Sequence, residues 1–232
     1  MKKMIIASTS TVHGSSPLEY ILPALKEFFN NVSTILFIPY ARPSGISYDD
    51  YTKNVSEAFN SIGIKVKGIH EFENPRQAVL EAKGIFTGGG NTFELVNQLY
   101  KNGLIILLRK VLENGTPYLG TSAGSNICGV NIMNTNDMPI VYPPSFETLS
   151  LLPFNINAHY LDPNPDSKHM GETRETRIKE FHVYNDISVL GLREGSWLEV
   201  NGDSIQLKGN FSARWFQKDV TPVEIETNSF ID

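Results

Sequence analysis

The stretch Gly120-Thr121-Ser122-Ala123-Gly124 decides how the rest of this chain is organised. It follows the apolar run Pro117-Tyr118-Leu119 and leads into a segment with helical character. A strand that turns abruptly into a helix at a serine exposes the hydroxyl at the strand's end, and the small flanking glycines permit so sharp a turn. The helix N-terminus beneath the serine favours negative charge. The pentad therefore predicts that Ser122 is a nucleophile, with a tight strand–helix turn of purely structural role as the alternative.

The bulk composition is that of an ordinary globular protein. Hydrophobic residues make up 41% and charged residues 19% of the 232 residues, which is typical of soluble domains. The net charge of −5 argues against a nucleic-acid binder, which would need a basic face. No apolar run approaches the length of a membrane span. We expect one domain over residues 1–232, with neither nucleic acid nor a membrane as partner.

Two features bear on the compartment. Lys2 and Lys3 precede an apolar run of only about five residues, which is shorter than the core of a secretory leader and fits a first buried strand better. Cys128 is the single cysteine, so no intrachain disulfide can form, and we expect it to be a buried structural thiol. These features predict a cytoplasmic protein.

Strand-like and helix-like segments alternate through the first two-thirds of the chain. This rhythm predicts an α/β fold with an open, mostly parallel sheet and helices on both faces. In such sheets the functional residues lie at the carboxyl ends of the strands. The predicted strands are 4–7, 33–39, 64–66, 84–87 and 117–119, and the predicted helices are 17–30, 47–61, 75–82, 93–99 and 104–112.

The last third changes character and ends in a β-hairpin region. Its predicted elements are strands 151–156 and 188–192, a polar helix over 172–182, a hairpin of strands 197–200 and 204–207, and a late strand at 214–216. Asn201-Gly202 is the preferred dipeptide of a type I′ turn, so we expect that turn in the hairpin.

A serine nucleophile needs a general base, and histidine is the usual one. His159 is favoured because it follows the predicted strand 151–156 by a short turn, which places it at the same kind of strand end as Ser122. His13 follows the first strand and stays open as an alternative. The other histidines are His70, His169 in a polar loop, and His182 near a helix end, where it could cap the terminus.

The third member of such a site is a carboxylate that orients the base. Glu194 follows the predicted strand 188–192, but it gives the chain order serine, histidine, acid, unlike the serine, acid, histidine order of the α/β-hydrolases. Asp137 restores that order with severely compressed spacing, and Asp162 is a further rival. The residues alone leave the acid open.

The triple glycine Gly88-Gly89-Gly90 follows a predicted strand and offers backbone N–H groups with no side chain in the way. It could form half of an oxyanion hole, with the N–H of Ala123 as the other half. A phosphate cradle is the competing function, although the Gly-Lys-Ser/Thr ending of a P-loop is missing. A plain loop is the structural alternative. No His/Cys/Asp cluster has ligand spacing, so no metal site is expected.

Several motifs together resemble the peptidase E family of α-aspartyl dipeptidases. The resemblance runs from the first strand to about Trp197. The full set of motifs is far more specific than the pentad alone. Its motifs are Gly88-Gly89-Gly90-Asn91-Thr92, Gly120-Thr121-Ser122-Ala123-Gly124, Asn136-Asp137-Met138-Pro139, Asn157-Ala158-His159-Tyr160-Leu161-Asp162-Pro163, Gly171-Glu172-Thr173-Arg174-Glu175 and Leu192-Arg193-Glu194-Gly195.

The resemblance implies a fold like that of the class I glutamine amidotransferases, whose elbow carries cysteine in place of serine. It implies a Ser122–His159–Glu194 triad, an oxyanion hole at Gly90 and Ala123, and hydrolysis of dipeptides with an N-terminal aspartate through an acyl-enzyme, without a cofactor. A glutaminase is disfavoured because its thiol chemistry would need cysteine at position 122.

An aspartyl substrate carries a side-chain carboxylate and a free α-ammonium, and each needs a partner when it leaves water. A bidentate arginine suits the carboxylate, and we predict Arg174, with Arg177 one turn along as the alternative. Asp137 could receive the ammonium or help to position the elbow.

Two other functions stay open beside the dipeptidase. A cyanophycinase-like hydrolase of aspartate-containing polymer belongs to the same structural family, and an inactive binding module could use the same fold. A small peptide substrate is the expected partner of the dipeptidase, and the protein is expected to be a monomer or a homodimer.

Overall fold

The computed structural model describes residues 1–164, 166, 168 and 170–231. The strands within this part of the chain are β1 (Lys3–Ala7), β2 (Thr34–Ile38), β3 (Lys65–Gly68), β4 (Ile85–Thr87), β5 (Tyr118–Thr121), β6 (Asn155–Ala158), β7 (Val189–Leu192), β8 (Ser196–Asn201), β9 (Ser204–Gly209), β10 (Ala213–Phe216) and β11 (Val223–Ile225). The α-helices are α1 (Leu22–Phe28), α2 (Tyr48–Asn60), α3 (Pro75–Glu81), α4 (Thr92–Lys101), α5 (Ile105–Glu113), α6 (Ala123–Asn126) and α7 (Arg174–Tyr184).

The larger sheet has seven strands in the order β3-β2-β4-β5-β1-β8-β9. The first five of these are mutually parallel, and the β8–β9 hairpin adds two antiparallel strands at the β1 edge. Along β1, Met4 and Ile6 face one hydrophobic core and Ile5 and Ala7 face the other, as the two-residue period of a strand requires. The predicted α/β class, with a mostly parallel sheet covered on both faces, is confirmed.

A second sheet of four strands has the order β11-β10-β7-β6, and the sequence did not predict this separate sheet. β6 and β7 are parallel, and β10 and β11 continue antiparallel. The strand expected at 151–156 is displaced, since β6 starts at Asn155 and continues through Ala158. The buried Asn155 amide oxygen accepts hydrogen bonds from the N–H groups of Val130 (2.9 Å) and Asn131 (3.1 Å), which fixes β6 against the preceding loop.

Two local expectations are wrong. Leu18 has a left-handed φ of +61°, so the helix expected over 17–30 cannot run through it; a 3₁₀ turn over Glu19–Ile21 leads into α1 instead. The β8–β9 hairpin forms as expected, but its two turn residues are Gly202, with φ +63°, and Asp203, which has no positive φ. A type I′ turn needs positive φ at both positions, and a glycine at the first alone is typical of type II′.

Side-chain caps explain where several helices begin. Ser47 accepts the N–H of Asp50 at the start of α2, and Thr173 accepts the N–H of Thr176 at the start of α7, so the polar helix begins at Arg174 and not at residue 172. Such caps satisfy N–H groups that have no partner inside the helix. In the described residues, no helix combines the length and apolarity needed to cross a bilayer.

Candidate active site

The strand β5 ends in a strained elbow at Ser122, as the pentad predicts. Ser122 has φ +53° and ψ −112°, and its N–H donates to the carbonyl of Ala7 at 3.2 Å. A non-glycine residue held in such a conformation is characteristic of functional sites. Gly124 makes the turn possible, because a Cβ at that position would collide with the carbonyl of Thr87.

Three side chains form a continuous chain of hydrogen bonds at this elbow. Ser122 Oγ lies 2.9 Å from His159 Nε2, and His159 Nδ1 lies 2.6 Å from Glu194 Oε1. The arrangement fits a histidine whose Nδ1–H donates to the carboxylate while Nε2 accepts from the serine hydroxyl. Ser122 follows a strand of the large sheet, whereas His159 and Glu194 follow β6 and β7 of the small sheet. The two sheets meet at these three side chains.

Ser8, which sequence reasoning missed, connects the ends of three strands. It follows β1 and is fully buried. Its Oγ accepts the N–H of His159 at 2.9 Å and donates to the carbonyl of Leu192 at 2.6 Å. His159 has a positive φ of +55°, so this hydrogen bond holds an unfavourable backbone conformation in place. No local pattern in the sequence indicates these contacts, since His159 and Leu192 lie 151 and 184 positions from Ser8.

The rival acids are engaged elsewhere. Asp137 Oδ2 accepts the N–H of Thr92 at 2.7 Å, which caps α4. Asp162 forms a two-pronged ion pair with Arg193, at 2.8 Å and 2.7 Å. Glu194 is therefore the carboxylate that contacts His159 among these three candidates.

The rival histidines also have other surroundings. His13 is exposed in the loop after β1. His182 Nε2 lies 3.0 Å from the carbonyl of Ile187, and His70 Nε2 lies 2.9 Å from Asp49 Oδ1. His169 lies outside the described residues.

Backbone hydrogen bonding singles out one N–H in the glycine loop. The N–H of Gly88 donates to the carbonyl of Ile38, that of Gly89 to the hydroxyl of Tyr51, and that of Asn91 to the carbonyl of Ala41. In the described part of the chain, the N–H groups of Gly90 and Ala123 have no acceptor. Gly90 has a φ of +145°, and a Cβ there would collide with the Ala41 carbonyl. These two donors are the ones expected for the oxyanion hole.

Comparison with known proteins identifies the family. The family model of peptidase family S51 matches residues 4–208. The chain belongs to peptidase family S51. A Streptomyces coelicolor protein named "Peptidase E" is 47% identical over 226 residues, covering 97% of this chain and 92% of the relative. A Drosophila melanogaster protein named "Probable alpha-aspartyl dipeptidase" is 45% identical over 221 residues, covering 94% and 91%. The resemblance found in the motifs is confirmed, and the protein is a serine-type peptidase.

A solved structure confirms the fold of this S51 peptidase. A peptidase from an acI-B1 actinobacterium superposes with a TM-score of 0.72 at 17% identity, covering all of this chain and 96% of that one. The further likeness to class I glutamine amidotransferases stays an expectation.

The two arginines predicted to bind the substrate carboxylate both lie on α7. Arg174 is partly buried, and burial lowers its pKa, as does the neighbouring charge of Arg177; the carboxylate of Asp137 acts in the opposite direction. Arg177 is exposed. Among the described residues, Arg174 has no carboxylate within ion-pair distance. A partly desolvated guanidinium without such a partner is suited to an anionic ligand.

A network of buried and half-buried amides, unnoticed in the sequence, ties the small sheet of this S51 peptidase to the elbow. Asn126 at the end of α6 accepts the N–H of Ala158 and donates to Thr92 Oγ1. Asn136 donates to the Asn157 side chain at 3.0 Å and to the carbonyl of Ala158 at 3.1 Å. Fully paired buried amides are costly to disturb, so they fix the geometry around His159.

An ion-pair network fixes the segment that carries Glu194. Arg193 contacts Glu224 as well as Asp162, and Arg214 also reaches Glu224 at 3.0 Å. The pKa of the Glu224 carboxyl is lowered to about 2, and the hydrogen bond from Arg193 is the largest cause. Sequence reasoning missed this network because its members come from separate loops and strands.

Cys128 was expected to be a buried structural thiol, and no metal site was expected. Cys128 is fully buried just beyond α6, and burial raises the pKa of its thiol to about 12, so it is inert as expected. Within the described ranges, no group of three or more His, Cys, Asp or Glu side chains is placed to hold a metal ion.

Proposed function

We propose that this S51 peptidase hydrolyses dipeptides with an N-terminal aspartate through a Ser122–His159–Glu194 triad and an acyl-enzyme. The observation that carries the proposal is the pair of contacts at 2.9 Å and 2.6 Å that links the three side chains. The name of the Drosophila relative supports the substrate class.

In the acylation step, Ser122 Oγ attacks the carbonyl carbon of the aspartyl residue while His159 Nε2 takes the hydroxyl proton. Glu194 stabilises the imidazolium that forms and keeps the ring in its working tautomer. The negative charge on the carbonyl oxygen is met by the N–H groups of Gly90 and Ala123. Such preformed donors act where charge develops in the transition state.

The tetrahedral intermediate collapses when His159 gives its proton to the leaving amine, which departs as a free amino acid. A water then attacks the aspartyl-Ser122 ester, with His159 again as base, and aspartate is released. Every proton passes through one imidazole, so the scheme needs no cofactor.

Selection of aspartate rests on opposite charges on two sides of the substrate. Arg174 binds the side-chain carboxylate, because a guanidinium fork matches carboxylate geometry. Asp137 lies close enough to Arg174 to influence its pKa, and its negative charge receives the α-ammonium. A substrate with a blocked amine or without the carboxylate leaves one of these charges unpaired, which is costly in a partly desolvated site.

We also propose that residues 1–232 form one catalytic domain, because the proposed site draws Ser122 from one sheet and both of its partners from the other. The lone buried thiol of Cys128 supports a cytoplasmic location.

The deciding experiment measures release of free aspartate from Asp-Leu, beside Glu-Leu, Ala-Leu and N-acetyl-Asp-Leu, with wild type and Ser122→Ala. We expect turnover of Asp-Leu alone and its loss in Ser122→Ala, with thermal melting as the check of folding. Absence of turnover of every dipeptide by folded wild type would contradict the proposal and favour aspartate-containing polymers as substrates.

A further inference from the structure

A cavity of about 360 Å³ lies at the carboxyl edge of the large sheet, on the α1–α2 face. Its lining includes the apolar side chains of Leu18, Val55 and Phe86, together with Tyr51 and Arg42. The volume lies within the range of small-ligand sites, which combine an apolar lining with a few placed polar groups.

One wall of the cavity borders the oxyanion loop. The Tyr51 hydroxyl accepts the N–H of Gly89 at 3.0 Å and lies 3.3 Å from the Gly89 carbonyl. A Cβ built on Gly89 would come within 2.9 Å of Ser122 Cβ. Gly89 therefore lies next to both Tyr51 and the proposed nucleophile.

The segment after β1 also lines the cavity. Ser10 and Thr11 line the cavity, and they follow Ser8, whose hydroxyl bonds to the His159 backbone. The cavity is thus lined by Tyr51, which contacts Gly89 beside Ser122, and by residues that follow the serine bonded to the His159 backbone.

Arg42 supplies a positive charge at this cavity. Its guanidinium lies over the Tyr51 ring, 5.1 Å from the centroid. In the described residues it has no carboxylate within ion-pair distance. The charge also acts on Tyr51: burial raises the pKa of its hydroxyl, and Arg42 offsets part of that rise.

The three charges of an Asp-Xaa dipeptide can be shared between the Asp137–Arg174 pair and the cavity that contains Arg42. The α-ammonium and the side-chain carboxylate belong to one residue, and Asp137 and Arg174 are near each other, so together they serve that residue. The C-terminal carboxylate of the leaving residue is the remaining charge, and Arg42 is a cation in the cavity lining that can pair with it.

Resting on the proposed function, we propose that this cavity binds the leaving amino acid, with an apolar side chain among Leu18, Val55 and Phe86 and the α-carboxylate at Arg42. The enzyme then favours a free C-terminus, because an amide or a longer peptide removes the anion that Arg42 binds. This accounts for restriction to dipeptides through a second specificity site.

The test compares Asp-Leu, Asp-Leu-amide and Asn-Leu as substrates for wild type, Arg42→Gln and Arg174→Gln. Lys53→Gln is the matched control, because Lys53 is an exposed cation on α2 outside the cavity lining. Wild type should prefer Asp-Leu to its amide by roughly tenfold or more in kcat/KM, as for loss of a charge-assisted hydrogen bond. Arg42→Gln should lose that preference, mainly through KM, and keep its preference for Asp-Leu over Asn-Leu. Arg174→Gln should do the reverse.

Binding provides a readout that does not depend on turnover. Calorimetric titration of Asp-Leu and Asp-Leu-amide into Ser122→Ala protein should show the same preference for the free carboxylate, absent when Arg42→Gln is added. Equal binding of the two peptides, or no binding of either, would overturn the leaving-group site. Failure of wild type to hydrolyse Asp-Leu would count against the proposed function instead, so the two failures are distinguishable.

Discussion

The hydroxyl oxygen of Ser8 lies 2.9 Å from the backbone nitrogen of His159, from which it is separated by 151 positions in the chain. The same oxygen donates to the Leu192 carbonyl at the end of the strand that leads to Glu194. One buried serine therefore sets the spacing between the proposed base, the proposed acid and the end of β1. It is a positioning residue, because it reaches the substrate only through His159.

Replacement of Ser8 by alanine should lower kcat for Asp-Leu and also lower the free energy of unfolding. The change leaves the His159 N–H unpaired, at a cost of about 1–3 kcal/mol, whereas the Leu192 carbonyl keeps the N–H of Tyr160 as a donor at 3.2 Å. We expect kcat for Asp-Leu to fall roughly tenfold or more, with KM little changed, because imidazole placement affects the transition state. Steady-state kinetics and urea unfolding measure the two effects.

Ser196→Ala is the matched control for this prediction. Ser196 is equally buried, and its hydroxyl likewise donates to a carbonyl and accepts an N–H, both of Phe211. Its loss should cost similar stability and leave kcat nearly intact. Equal kcat in the two variants would show that Ser8 has only a structural role.

Glu194→Gln should inactivate the enzyme without unfolding it. The amide keeps the size of the carboxylate but not the charge that stabilises the imidazolium, and it can reverse the histidine tautomer. We expect kcat to fall on the order of 10²–10⁴-fold. Glu199→Gln, an exposed change on β8, should match wild type, and a Glu194→Gln enzyme with near-normal kcat would exclude Glu194 as the acid.

Asp137→Asn should separate substrate binding from capping. An asparagine oxygen can still accept the Thr92 N–H, so α4 keeps its cap. The charge for the α-ammonium is lost, and KM for Asp-Leu should rise roughly tenfold or more. Asp162→Asn serves as a comparison, since Asp162 pairs with Arg193. An unchanged KM would leave Asp137 with the capping role alone.

Protonation of Glu224 should lower the free energy of unfolding of the protein at acidic pH. Its pKa is about 2 in the folded protein, against an ordinary value of 4.5, because Arg193, Ser212 and Arg214 donate to its carboxylate. A carboxyl group whose pKa is lowered by folding stabilises the protein at any pH above its pKa in the unfolded chain. That contribution is lost as the pH falls from about 4.5 to about 2.

Urea midpoints measured across this window test the prediction. Glu224→Gln should reduce the dependence on pH, whereas Glu226→Gln, an exposed change two residues along, should leave it as in wild type. Parallel pH profiles for wild type and Glu224→Gln would contradict the assigned ion pairs.

Local signals in the sequence predicted the fold class and the serine elbow. Continuous apolar runs identify buried parallel strands, and the glycines around Ser122 reflect a collision that only a missing Cβ avoids. Glu194 rose above Asp137 only through the family resemblance, because no local pattern states which loop lies beside His159.

Long-range pairing was beyond reach of the sequence. The four-stranded sheet, the Ser8 contact and the Arg193 network join segments far apart in the chain, and periodicity says nothing about which of them meet. Arg42 was missed for the same reason, since its relation to the elbow passes through Tyr51 and Gly89.

The division of the proposed triad between two sheets has a consequence during synthesis of the protein. The five parallel strands of the large sheet all precede His159, and Ser122 is made 37 residues before it. Glu194 follows a further 35 residues on. A chain growing on the ribosome thus carries its nucleophile long before the groups that activate it. With this triad, peptide cleavage cannot start until Glu194 has been synthesised.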